Sequence, residues 1–395
     1  MSKKVKITLP LTLLLLFAGI ILSRSSITYA ATVAKIGSKS YSSLQSAVDA
    51  VKANQTIKLQ KNITLKDKVY VNNGKKFTID LKNHVIKMIE YKRTYYSKTL
   101  EEKVRRVTIG GVQINKGNVS IKNGNIKGIS NDLIYVIGLK KKGEATLSNC
   151  KITGNILNSG KLTINSGTYR NDYLDLITNN GYLTIKNGTF ISEKDCYDLI
   201  RNEYKCTIKG GTFTDKCGSK ISSHGNSTRK KASLSINGGT FTFVNGGGIG
   251  AGSNGTTKLS KGTIIGSVSV GKGGNFIMSG GSIANKINYP ETMLVSGSFT
   301  MKGGTITAVK SAQHSSTAIS VDRDGKVNLI KGTVTGGDTS TEPDFPGFYI
   351  DYPVIFVFGD DISSVRKSGA TIINNGQGPD ISTDLKFRDM SPTEN

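Results

Sequence analysis

The 395 residues hold only four Cys and three His, and no Cys-x-x-Cys pair occurs. That removes the usual zinc and dithiol-redox spacings. Beyond residues 1–30 no apolar run approaches the roughly 20 residues a bilayer span needs, so no transmembrane span is expected in the mature chain. The segments between glycines show no 3.6-residue periodicity, which excludes a helical repeat. Acids are scarce: 28 Asp and Glu stand against 53 Lys and Arg, for a formal net charge of +25. No sortase-type Leu-Pro-x-Thr-Gly motif occurs, so retention on a surface would fall to charge or to a partner.

Glycine is abundant, at 46 residues, and it is ordered. A ten-residue pattern recurs: Gly, any, apolar, Thr/Ser, apolar, any, any, Gly, Thr, apolar. Gly181-Tyr182-Leu183-Thr184-Ile185-Lys186-Asn187-Gly188-Thr189-Phe190 is a clear copy. The second Gly position falls at 124, 150, 167, 188, 211, 239, 262, 281, 304 and 332, with Cys150 the one departure. The first Gly position is broken at Tyr204 and Ala232. Spacing between copies runs from 17 to 28 residues. A repeat of that length marks a solenoid, whose units bury their apolar faces only against one another.

Within each copy the apolar positions alternate, as at Leu183 and Ile185 or Leu234 and Ile236, so each copy reads as a short strand with one buried face. A Gly turn follows. A second strand then opens with an inward residue, and four consecutive ones are aromatic: Tyr169, Phe190, Phe213 and Phe241. These predict stacks along one core. Asn115, Asn158, Asn179 and Asn202 sit two residues before the first Gly position and suit a ladder of amides at stacked turns.

On these residues, and on Ile36-Gly37, Leu44-Gln45-Ser46-Ala47-Val48 and Phe77-Thr78-Ile79-Asp80-Leu81 near the start, the chain resembles the pectate-lyase-like superfamily, in the form common in secreted bacterial surface proteins. The resemblance implies an all-β fold: a right-handed, single-stranded parallel β-helix (a solenoid) with a short N-terminal capping helix. That scaffold hosts lyases, hydrolases, adhesins and inert surface proteins alike, so it implies no activity by itself.

The expected organisation is a secretory signal peptide at 1–30, an N-terminal cap with its helix at 31–60, the β-helix at 61–336, C-terminal coils or cap at 337–380 and a tail at 381–395. Lys3, Lys4 and Lys6 precede the apolar Leu9–Leu22, and Thr28-Tyr29-Ala30 precedes the expected cleavage, which points to a secreted or cell-surface protein. The capping helix is read over Ser42 to Lys52, with Leu44, Ala47, Val48 and Val51 on one face. An insertion at 90–106 interrupts the repeats. Its Tyr91, Lys92, Arg93, Tyr95, Tyr96, Arg105 and Arg106 suit an anionic polymer or sugar rings, or else cover the coil beneath.

Charge is uneven. Residues 337–395 carry 4 basic and 10 acidic groups, which leaves the body between signal and C-terminal part near +27. Such a field attracts polyanions, so the expected partner is an anionic polysaccharide or cell-wall polymer; secretion argues against nucleic acid as the natural partner. The same lysines would also keep strand faces soluble. Cys196 and Cys217 fall in the same region of successive coils and could form a disulfide, though four Cys allow three pairings.

Asp172-Tyr173-Leu174-Asp175-Leu176-Ile177 aligns with Asp195-Cys196-Tyr197-Asp198-Leu199-Ile200. In-register coils would set Asp172 beside Asp195 and Asp175 beside Asp198. The resemblance implies a use for such a cluster, since calcium-dependent polysaccharide lyases of this superfamily hold Ca²⁺ on acids beside an Arg or Lys base. Asp172, Asp175, Asp195, Asp198 and Arg201 are therefore the candidate catalytic residues, and the four Asp a candidate Ca²⁺ site. The hydrolase pattern of Gly-His-Gly is met only by Ser223-His224-Gly225. The sequence favours a non-catalytic, adhesin-like glycan binder over a lyase or glycoside hydrolase acting on acidic polysaccharide.

Overall fold

The computed structural model describes residues 31–389 apart from short stretches, the longest of them 309–316 and 337–347. The signal expected at 1–30 lies outside the described residues. The described chain is nearly all β, and its strands stack as a solenoid-like sheet. Within the stack, strands pair in parallel with their counterparts one coil later. Lys161–Ile164 pairs with Tyr182–Ile185, then Lys205–Ile208, then Ala232–Thr242. The register joins Ile164, Ile185, Ile208 and Ile236, and each of these is 0 % exposed. The coils differ in length only at their turns, so the inward positions stay aligned while the spacing varies.

The aromatic stack forms as expected. Tyr169, Phe190, Phe213 and Phe241 lie ring on ring, with centroids 4.9, 4.6 and 4.6 Å apart. Their planes are within 10°, 7° and 12° of parallel. The column is the direct result of one apolar position repeated at the parallel-strand spacing of about 4.8 Å.

Each coil also has a third strand, which the repeat pattern does not announce. Asn155–Asn158, Ile177–Asn179, Asp198–Asn202, Lys220–Ser223 and Gly248–Ala251 pair in parallel, one after another. Ile156, Ile177, Ile200, Ile221 and Ile249 form their buried column.

At the second Gly position the chain usually turns at positive φ, as at Gly188 (138°) and Gly332 (123°). Gly124 and Cys150 are exceptions with one cause. The preceding Asn123 (58°) and Asn149 (52°) take the left-handed conformation instead, which Asn tolerates. A side chain at 150 is thereby admitted, and Cys150 is buried.

The amide ladder is present in part. Asn158 Nδ2 donates to Asn179 Oδ1 at 2.7 Å, and Asn179 Nδ2 to Asn202 Oδ1 at 2.7 Å. Asn202 Nδ2 donates to Ser223 Oγ at 3.2 Å, so a hydroxyl continues the ladder. The three amides are 0 % exposed and fully engaged. Asn115 stands apart, donating to Asn72 Oδ1 at 2.8 Å.

The helix is Leu44–Ala50, shorter at each end than expected. Ser43 caps it, and Ser46 returns the bond in a capping box. Leu44, Ala47 and Val48 are buried against the first strands. The insertion is an antiparallel hairpin, Glu90–Ser97 with Glu102–Ile109, forming a sheet of its own. At the other end the segment read as a tail supplies two strands. Ile381–Ser382 extends the parallel stack from Ile355–Val357, and Lys386–Asp389 pairs antiparallel with Phe348–Asp351. The first covers part of the edge of the last strand of the stack, and the second pair forms a two-stranded sheet of its own.

Candidate functional site

The duplicated acidic segment is in register as its sequence implies. Ile177 pairs with Ile200 and Thr178 with Arg201, and Leu176 N–H donates to Asp198 O at 2.9 Å. Asp175 and Asp198 are therefore neighbours on successive coils. Asp172 and Asp195 lie outside the described residues. Thr178 Oγ1 donates to Asp175 Oδ2 at 3.0 Å, and Ser222 Oγ donates to Asp198 Oδ2 at 2.5 Å. Burial pushes the Asp198 carboxyl up to about 6; the charge of Asp175 adds to the rise, while Ser222, Arg201 and Lys220 oppose it. Burial also raises Asp175, against the Thr178 hydroxyl and the Arg201 charge.

The basic groups are largely committed elsewhere. Arg201 Nε lies 2.9 Å from Glu203 Oε1. Arg170 pairs with Glu193, which Lys216 Nζ also approaches at 3.6 Å. His224 shares the neighbourhood of Arg201, Glu203 and Asp175, and burial, with the Arg201 charge, holds its imidazole below the usual range. The arrangement can keep the Asp198 carboxyl protonated in mild acid. Calcium takes six to eight oxygens, and Asp175 and Asp198 are the part of the candidate Ca²⁺ site that lies among the described residues. Among the described residues no group of three or more His, Cys, Asp or Glu is arranged to hold a metal ion.

A stability prediction follows from Asp198. Its folded pKa lies above the 3.8 of the free group, so its contribution is fully present below about pH 4 and is lost as pH rises through about 6. At pH 8 the buried charge costs about 2–3 kcal/mol. Asp198→Asn should therefore melt higher than the parent at pH 8, with the gap closing at pH 4. Thermal melts of both proteins at the two pH values check this; a gap independent of pH contradicts it.

Cys196 and Cys217, the candidate disulfide pair, stand in this structure as free thiols, as do Cys150 and Cys206. The two thiols meet, and each Sγ also has an oxygen beside it. Cys196 faces Asn171 O and Oδ1 at 3.5 Å, and Cys217 faces Asp215 Oδ1 at 3.4 Å. Burial, and then the neighbouring Cys217, pushes the Cys196 thiol up to about 12.

Asp215, passed over in the sequence, anchors this turn. It is 0 % exposed and accepts from Ser192 Oγ, Ser219 Oγ and the backbone N–H groups of Cys217, Gly218 and Ser219. Burial raises its pKa, but those donors outweigh it and hold the carboxyl below the usual range. Its sequence signal was an acid at a strand end where the preceding coil has Ser192.

The ligand candidates Tyr91, Lys92, Arg93, Tyr95, Tyr96, Arg105 and Arg106 all fall on the hairpin, where Arg93 pairs with Arg106 and Thr94 with Arg105. Their side chains lie outside the described residues. A second aromatic and basic patch was missed. Tyr182 and Tyr204 meet edge to face with centroids 5.2 Å apart, and Lys205 Nζ lies 5.6 Å from each ring centre. Tyr182 is 50 % exposed. The available signal was Tyr204 itself, where the repeat expects Gly.

No family model, curated protein or solved structure matches the chain. Among the described residues, no helix is long and apolar enough to cross a membrane.

Proposed function

We propose that this chain is a secreted, non-catalytic, adhesin-like surface protein that binds a glycan or an anionic wall polymer. Its scaffold in this reading is a right-handed parallel β-helix of the pectate-lyase-like kind, lidded at its start by the helix Leu44–Ala50. One observation carries the reading: the body holds a large excess of positive charge that its own acids do not neutralise. Among the described residues, the lysines in ion pairs are Lys161, Lys216 and Lys272. The inward positions are apolar columns, which leaves the lysines on the outside of the stack.

The test is retention of the chain from residue 31 onward on immobilised polygalacturonate and polyglycerol phosphate. It should be held at about 0.1 M salt and released towards about 1 M, as the screening length falls from about 10 Å to about 3 Å. A neutral glucan resin should not hold it. Neutralising Lys92, Arg93, Arg105 and Arg106 together should lower the eluting salt. Flow-through at 0.1 M salt contradicts the reading.

A second reading has one observation in its favour. Asp198, raised to about 6 beside Asp175, is the kind of acid a lyase or hydrolase of acidic polysaccharide would use. Release of unsaturated or shortened sugars from the same polymers would select it.

A further inference from the structure

Three glycines stack on successive coils beside the Tyr182–Tyr204 pair. A Cβ on Gly143 would lie 2.2 Å from Ile114 O, on Gly160 2.1 Å from Gly143 O, and on Gly181 2.2 Å from Gly160 O. No side chain fits there, so the chain runs past as bare backbone. The amide ladder fixes its position: Asn158 Oδ1 accepts from Gly160 N–H at 3.1 Å, and Asn179 Oδ1 from Gly181 N–H at 3.4 Å. These glycines form the floor of a groove of about 680 Å³, within the range of about 300–1,000 Å³ usual for ligand sites.

The walls differ in chemistry. Lys141, Lys142 and Lys161 stand towards one side, and Tyr182 and Tyr204 towards the other. The single acid is Glu144, whose Oε2 is 3.9 Å from Lys161 Nζ and accepts from Asn118 Nδ2 at 3.0 Å. The column Glu144, Lys161, Tyr182, Lys205 is in parallel register, which sets acid, base, ring and base on successive coils.

We propose that this groove is a subsite for an acidic sugar unit of a polysaccharide. The proposal rests on the polymer-binding reading and gives it a place and a ligand chemistry. A sugar ring presents one face of polarised C–H groups, which the negative face of an aromatic ring attracts. The half-exposed Tyr182 ring is available for that contact. A carboxylate on the same unit meets the lysines, and Glu144 accepts from ring hydroxyls. The bare floor lets the sugar approach the backbone. A neutral sugar forgoes the lysines, and a small inorganic anion forgoes the rings, so the groove selects for both features in one molecule.

Calorimetry with trigalacturonate on the chain from residue 31 onward tests this. The parent should bind it at least about tenfold more tightly than a neutral trisaccharide, the difference that one desolvated charge contact supplies. Tyr182→Ala with Tyr204→Ala should lose at least about tenfold, while the corresponding Phe pair, which keeps both rings, stays within about twofold. Lys141, Lys142 and Lys161 changed together to Gln should also lose binding. All the changes are on outer positions, and circular dichroism checks that the fold persists. Unaltered affinity in the double alanine variant overturns the subsite. Equal or tighter, Tyr-dependent binding of a short oligothymidylate also overturns it, in favour of base stacking. Retention on the polyanion resins separates the two levels: a variant that keeps both retention and trigalacturonate affinity refutes the groove alone, whereas a parent that is not retained refutes the polymer reading beneath it.

Discussion

Phe213→Ala should destabilise the protein by about 4–6 kcal/mol: about 3–5 for emptying a filled aromatic site, plus the stacking lost to its two neighbours. Phe213 is 0 % exposed and lies 4.6 Å, centroid to centroid, from both Phe190 and Phe241. Neither neighbour can close the gap, because each is held at its height by its own coil's pairing. A drop in melting temperature of about 5–8 °C is the expected reading, by calorimetry or circular dichroism. A loss below about 1 kcal/mol would mean that the rings do not carry the core at this point.

Gly160→Val should be at least as damaging, for a different reason. The added atoms meet carbonyl oxygens, Gly143 O at 2.1 Å and Lys140 O at 2.5 Å, rather than flexible side chains. Backbone cannot step aside without parting two paired coils, so the cost exceeds the about 1–3 kcal/mol of ordinary overpacking. Gly250→Ala is the matched control. Its nearest neighbour is Ser269 O at 3.8 Å, an ordinary contact, and the change should fall within about 0.5 kcal/mol. Urea unfolding of the two variants checks the pair; equal effects would contradict the close stacking of glycines at 143, 160 and 181.

Much of this architecture could be read in advance because parallel stacking repeats an inward residue once per coil. The columns through Ile185 and Phe213 follow from that, and so does the amide ladder through Asn179. The third strand escaped notice for a physical reason. It precedes the ten-residue pattern rather than belonging to it: Ile156, Ile177 and Ile200 each lie four residues before the first Gly position, and the longer turn after Ser223 then moves Ile221 to eleven before it. Cys150 departs from the pattern because Asn149, one residue earlier, takes the left-handed conformation in place of a glycine. The closing strands near Ile381 and Lys386 belong to no repeat, so periodicity could not reveal them.

The acid pair was legible as a position but not as a chemical state. Duplicated sequence put Asp175 next to Asp198. Whether Asp198 is charged depends on burial and on Ser222, which comes from the following coil. Asp215 shows the converse: an acid of ordinary appearance in sequence becomes a buried anchor because Ser192, Ser219 and four backbone donors, Val244 N–H among them, converge on it. The Tyr182–Tyr204 patch depended on a departure from the repeat, where Tyr204 replaces a glycine.

Native-state hydrogen exchange on Phe213→Ala is the most direct test of the coil order. Each coil leans only on the one before and the one after. Protection should fall in the strands that hold Phe190 and Phe241, 23 residues before and 28 after in sequence, while the strands around Val69 and Val327 stay protected. A uniform loss along the chain, or a loss confined to residues adjacent in sequence, would contradict the stacked register.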